Sequence, residues 1–125
     1  MTQPLPHSPF NQRQGILVED LADGTVALTL DTDGSFHNEV GFVHGGVTMF
    51  LLDGAMGRCC GRTLAPGQSC ATVQISVQFL RKATGRLRAL GRITRRGRRV
   101  AFMEGECHTA DGELVARAQG TWAIS

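Results

Sequence analysis

Tyrosine is absent from this 125-residue chain, tryptophan occurs once and phenylalanine six times. None of these rings stands inside the one arginine-rich stretch, Arg95-Arg96-Gly97-Arg98-Arg99. A surface for single-stranded nucleic acid needs rings on which bases stack, so no nucleic-acid partner is expected. A net charge of +2 is also too small to draw in a polyanion over the whole surface. No apolar run is long enough to cross a bilayer, and no basic-then-apolar leader opens the chain. A membrane role is therefore not expected, and the cytoplasm is the expected compartment. Cys59, Cys60, Cys70 and Cys107 form no C-x-x-C pair and read as small reduced core residues. His7, His37, His44 and His108 are scattered without a metal-ligand rhythm, so neither a metal nor a separate cofactor is expected.

What is present is a globular composition, 42% hydrophobic and 19% charged, at the length of one domain. Residues 1–14 hold Pro4, Pro6 and Pro9 with little periodicity and read as a flexible arm or docking segment. Residues 15–125 form the single folded domain. Ile16 to Leu30 reads as two strands joined near Asp23-Gly24. From Gly45 to Cys60 nearly every residue is apolar or small. Its only polar side chains, Thr48, Asp53 and Arg58, point three ways around a helix. The stretch predicts a helix from about Gly45 to Gly61, buried on every side. A carboxylate inside such a helix needs a reason to be there.

Beyond Pro66-Gly67 the chain reads as strands. Val73, Ile75, Val77 and Phe79 alternate with polar residues, and Leu87, Ala89, Gly91 and Ile93 share a side of the next strand. Arg95 to Arg99 reads as a turn. Val100 to Thr109 and Glu113 to Ile124 read as strands around a second Asp-Gly turn at Asp111-Gly112. The order is a hairpin, one long helix and a meander of four strands. One helix can be enclosed economically by an antiparallel sheet that curls around it, an α+β architecture. The sheet's remaining apolar surface predicts a homodimer at least.

Candidate chemistry gathers at the helix start. No Ser, Thr or Asp immediately precedes Gly45, so the first backbone N–H groups read as uncapped and able to stabilise an oxyanion. Asn38 and His44 lie just upstream. Asp53 is two turns further on, roughly 12 Å from Gly45 along the axis, too far to meet the same carbonyl carbon within one chain. Across a twofold interface the two could meet. Thr72 begins the following strand and could bind a carboxylate or a water. An oxyanion donor with an embedded carboxylate suits a thioester, whose thiolate leaving group needs no strong acid. Asp53 would activate water or attack directly, and the residues do not choose between these.

These residues resemble the hotdog-fold acyl-CoA thioesterases, in the phenylacetate-pathway and 4-hydroxybenzoyl-CoA thioesterase-like branch. The resemblance rests on Asn38, His44-Gly45-Gly46, Asp53 nine places after His44, the strand Thr72 to Leu80, Gly85, and Gly112-Glu113-Leu114-Val115-Ala116. It implies a central helix wrapped by a curved sheet, active sites at a dimer interface, and a homotetramer as the fuller assembly. It implies Gly45 as the oxyanion donor, Asn38 and His44 as groups positioning the thioester, and Asp53 of the facing subunit as base or nucleophile, assisted by Thr72. Members of the family vary at the acid (Glu) and at the Thr72 position (Ser), and many have Arg-Pro where this chain has Arg81-Lys82. Acyl-CoA is then the partner, with coenzyme A part of the substrate.

Structural alternatives stand beside each role. Asp53 could pair with Arg58 or Arg62, Asn38 could form a turn, and His44 could bond only the loop backbone. Arg95, Arg96, Arg98 and Arg99 could be a solvated hairpin tip or, with Arg81 and Lys82, could hold coenzyme A phosphates. Met49, Phe50, Met56 and Phe79 could line an acyl pocket or the core. A non-catalytic acyl-CoA sensor or carrier on the same fold is the alternative function.

Overall fold

A computed structural model describes residues 7–125. Residues 1–6 of the expected arm lie outside the described residues. The rest of the arm is a short helix, α1 (Pro9–Gln14), capped by Ser8 and ended by Gly15 at φ 74°. Its Phe10 ring meets Phe50 edge-on at 4.9 Å between centroids. An apolar anchor of this kind docks a segment that composition alone reads as loose.

The hairpin follows as β1 (Leu17–Asp20) and β2 (Val26–Asp31), with Gly24 at φ 94° in the connecting turn. The central helix α2 spans Gly45–Gly61, the bounds that the apolar run predicts. Then come β3 (Cys70–Phe79), β4 (Arg86–Arg96), β5 (Val100–Thr109) and β6 (Leu114–Ile124). All six strands join one antiparallel sheet in the order β1-β2-β4-β5-β6-β3, and α2 packs against β2 to β6. This is the hotdog arrangement.

Three expectations are corrected here. The last four strands are not a meander, because β3 pairs with β6 rather than β4, and its other edge has no strand beside it among the described residues. The chain from α2 returns to the far edge of the sheet, a choice that alternation within a strand does not encode. Arg95 and Arg96 belong to β4, so the basic turn is only residues 97–99. The helix, finally, is not enclosed on every side. Leu51, Leu52, Ala55, Met56 and Cys60 are buried against Val26, Leu28, Leu87, Met103 and Trp122. Each of the leucines, methionines and Val26 contributes about 1.5–3 kcal/mol by leaving water. Gly46, Met49, Phe50, Asp53 and Gly57 form a stripe one to four residues apart that stays at least partly open, with Met49 41% exposed.

Polar contacts fasten the far end of α2. Arg58 grips Asp20 with two bonds of 2.8 and 2.9 Å, and Arg62 donates to the Leu21 and Thr25 carbonyls. The Arg58 hydrogen bond lowers the Asp20 carboxyl below its ordinary range, against a smaller burial effect. A carboxyl depressed by folding adds stability above its unfolded value of about 3.9, and that stability is lost as pH falls through the lower folded value. Asp20→Asn should therefore lower the melting temperature modestly at pH 7 and flatten its fall below pH about 4. Melting curves of both proteins across pH check this; parallel acid limbs would contradict it.

Candidate functional site

Two cavities share the Asn38, Gly45, Asp53 and Thr72 set between them. The first, about 340 Å³, opens at the helix start and is lined by Asn38, Gly45, Thr48, Phe79, Arg81 and Lys82. The second, about 550 Å³, lies along the helix and includes Asp53, Thr72, Cys70 and Trp122.

At the helix start the expectation of an uncapped terminus is corrected in part. His44 is the N-cap, and its Nδ1 accepts from the Gly46 N–H at 2.9 Å. An imidazole nitrogen does here what a Ser or Asp oxygen usually does. The Val47 N–H donates to the His44 carbonyl at 2.9 Å. The Gly45 N–H has no partner among the described residues, so one first-turn donor remains open where the helix dipole is positive. A Cβ at Gly45 would come 3.3 Å from the Phe79 ring, and one at Gly46 would come 3.0 Å from the capping nitrogen. His44 itself lines a third cavity of about 440 Å³ with Phe10, Phe36 and Phe50. Its ring caps the helix and lines a different cavity from the one that Asn38 lines.

The Asn38 Oδ1 accepts from the Val40 and Phe42 N–H groups at 3.1 and 3.2 Å, the turn-forming role anticipated as an alternative. That fixes the amide's orientation. Its Nδ2 has no partner among the described residues, and the residue lines the first cavity.

Asp53 is partly open and accepts a 2.7 Å hydrogen bond from Thr72 Oγ1. Pairing with Arg58 or Arg62 does not occur, since those cations hold Asp20 and backbone carbonyls. Thr72 reaches the helix because of a bulge. The β3–β6 register shifts between Thr72 and Gln74, so Val73 is extra and points outward, 63% exposed. Simple alternation would have put Val73 inside with Ile75 and Val77, and Thr72 outside with Gln74. The extra residue reverses the faces, as bulges do.

Arg81 pairs with Glu113 at 3.2 Å and the Lys82 ammonium sits 5.1 Å from the Phe42 ring centre, both at the first cavity. Arg96 instead bonds Thr63 and Gln68 beyond the far end of α2. Strand β4 runs between the two basic groups, a length of roughly 30 Å, so they do not meet within one chain. Of the proposed acyl-contact residues, Phe79 lines the first cavity, Phe50 both the second and the third, and Met56 is wholly core.

All four cysteines are free, and Cys70 departs from the core reading by lining the Asp53 cavity. Its thiol is lowered to about 7, first by a hydrogen bond from Cys60 and, against burial, by the Arg96 charge. Burial alone pushes Cys107 up to about 12. Sequence reading also passed over Thr48 as a cavity residue; its buried position on an otherwise apolar turn was the available signal. Among the described residues no helix is long and apolar enough to cross a membrane.

Comparison with known proteins agrees with this fold. The family model of the Thioesterase superfamily matches residues 40–116, which include Gly45, Asp53 and Thr72 and begin just after Asn38. The BH2602 protein of Bacillus halodurans, solved with CoA, has a TM-score of 0.88 at 29% identity, covering 95% of this chain and 80% of that one. A phenylacetic acid degradation-related protein of Ralstonia eutropha JMP134 has a TM-score of 0.86 at 33% identity, covering 95% and 92%. SSO2140 of Saccharolobus solfataricus is 28% identical over 110 residues, 87% of this chain and 78% of its own length.

Proposed function

The chain belongs to the thioesterase superfamily, and from that premise we propose that it hydrolyses an acyl-CoA thioester to a free acid and coenzyme A, at a site shared by two copies. One observation carries this reading. The open Gly45 N–H and Asn38 occupy one cavity, while Asp53 and Thr72 occupy another further along the same helix. Neither cavity holds a complete site. Two copies facing each other through the open stripe of α2 would bring the Asp53 of each to the Gly45 of the other. The unpaired edge of β3, with Val73 and Phe79 exposed, supports the same association, because an uncovered edge strand favours pairing. A homotetramer is the fuller assembly in this reading, and the cytoplasm its compartment.

The chemistry follows from the groups. The thioester oxygen accepts the Gly45 N–H, which stabilises the charge that develops there. Asp53 takes a proton from water as the oxygen of that water adds to the carbonyl carbon, or its own oxygen adds to give an anhydride that water then opens. In either course the C–S bond breaks and the thiolate leaves and takes up a proton. The Thr72 bond orients the carboxylate. Arg81 and Lys82 lie beside the first cavity and suit the phosphates of coenzyme A, as do Arg95, Arg96, Arg98 and Arg99 if the facing copy brings them near. The bound CoA of BH2602 supports a ligand of this class.

The test is release of free thiol from a panel of aliphatic and aromatic acyl-CoAs. The wild type should turn over at least one. In Arg81→Ala/Lys82→Ala the KM for that acyl-CoA should rise about tenfold, with little change toward a truncated thioester that lacks the nucleotide. No turnover of any member, with tight binding, would instead identify a carrier or sensor.

A further inference from the structure

One polar group of the first cavity has no part in the site so far. Thr48 is only 3% exposed, yet its hydroxyl makes no hydrogen bond to any described residue. A threonine inside a helix ordinarily bonds its hydroxyl back to the carbonyl of the preceding turn, here His44 or Gly45. Among the described residues no fully enclosed side-chain oxygen lacks a partner. The Thr48 oxygen must therefore keep a small opening, and the cavity that Thr48 lines with Gly45 supplies it. No neighbouring wall group bonds that oxygen, and the side chains of Val43, Phe79, Ala83 and Val115 are apolar. Asn38 spends its oxygen on the loop, Arg81 meets Glu113 and Lys82 meets Phe42. A hydroxyl that opens only into this cavity is left to bond water there, or a ligand that displaces the water.

Its direction follows from helix geometry. Thr48 is three residues after Gly45, on nearly the same face. A helical Cα–Cβ bond tilts toward the N-terminus, so the Thr48 side chain lies over the turn that begins with Gly45. The hydroxyl and the open Gly45 N–H thus converge on one region of the cavity. We propose that Thr48 is a second donor to the thioester oxygen: its O–H hydrogen-bonds the oxygen that also accepts the Gly45 N–H, and the bond strengthens as negative charge develops. No proton is transferred. This rests on the thioesterase reading above and adds a catalytic residue to it.

The test compares Thr48→Val, which keeps the shape and removes the hydroxyl, with Thr48→Ser, which keeps the hydroxyl and removes a methyl. On the best acyl-CoA of the panel, Thr48→Val should lose about 10²-fold in kcat with KM nearly unchanged, the usual cost of one oxyanion donor. Thr48→Ser should stay within a few-fold of wild type. A packing role would give the reverse order, since serine leaves the cavity and valine fills it. Should Thr48→Val not fold, Thr48→Ala beside Thr48→Ser makes the same comparison. Wild-type kcat in Thr48→Val, or a serine variant as impaired as the valine variant, would overturn the proposal while leaving the thioesterase reading intact. Absence of turnover in the wild type would overturn both.

Discussion

Asp53→Asn is expected to abolish nearly all turnover while leaving the fold intact. Asparagine keeps an oxygen at the position where Thr72 Oγ1 now donates at 2.7 Å, so the tie between α2 and β3 survives. Asp53 is partly open in the single chain and no arginine depends on it, so the loss of charge orphans no buried cation. What disappears is the ability to take a proton from water or to attack carbon. Loss of a general base costs about 10²–10⁴ in rate, and we expect about 10³ in kcat. Thiol release under saturating acyl-CoA measures it, with melting temperature as the control for folding. A variant keeping more than about a tenth of wild-type kcat would remove Asp53 from the chemistry.

Gly91→Ala should have the largest effect on stability. Gly91 lies on β4 directly beneath α2, and a Cβ there would stand 2.5 Å from the carbonyl carbon and oxygen of Ala55 and 2.6 Å from the Met56 nitrogen. These are backbone atoms of a helix, which cannot turn aside as a side chain can. Its register partner on β5 is Gly105, where a Cβ would crowd Leu90, Leu52 and Met56. The glycine pair forms the shallow seat that lets the helix lie against the sheet. Moving α2 away would unpack Leu51, Leu52 and Met56 together. Overpacking costs typically 1–3 kcal/mol, and with a rigid neighbour we expect about 3 kcal/mol or more. That corresponds to a melting temperature lower by roughly 10 °C in a chain of this size. Gly34→Ala, where a Cβ meets nothing within 4 Å, is the control and should melt near the wild type. Equal melting temperatures for Gly91→Ala and wild type would contradict the seat.

Much of the fold was legible because one physical signal was strong. The apolar run gave α2 its bounds from Gly45 to Gly61, and the two Asp-Gly pairs gave the turns. The same run misled about exposure, since it cannot distinguish burial by the chain's own sheet from burial by a second copy. Met49 and Asp53 lie on the stripe where that difference matters. The neighbour of β3 was not legible, because alternation fixes a strand's faces and not its position in the sheet. The bulge at Val73 was hidden for a related reason. A perfect alternating pattern runs through it, and only the helix carboxylate waiting for Thr72 gives the reversal its sense. Spacing made Asn38, Gly45 and Asp53 candidates for the site, whereas the capping role of His44 depends on the ring's rotamer. Thr48 could have been found by asking which polar residue a buried turn has no reason to carry.

Subunit complementation tests the shared site most directly. Gly45→Pro removes the N–H at the first helical position, where proline is well tolerated. His44 already has φ −59° and ψ 133°, which suits the residue before a proline. A Cβ there approaches the exposed Phe79 ring at 3.3 Å, a side chain that can shift. Gly45→Pro and Asp53→Asn should each be inactive alone. Mixed in equal amounts and allowed to exchange subunits, half the dimers become mixed, and each mixed dimer has one site with an intact Gly45 and an intact Asp53 from different chains. Activity should return to about a quarter of wild type, as a twofold arrangement requires. If mixed dimers form and the solution stays inactive, Gly45 and Asp53 do not act on one thioester from opposite subunits.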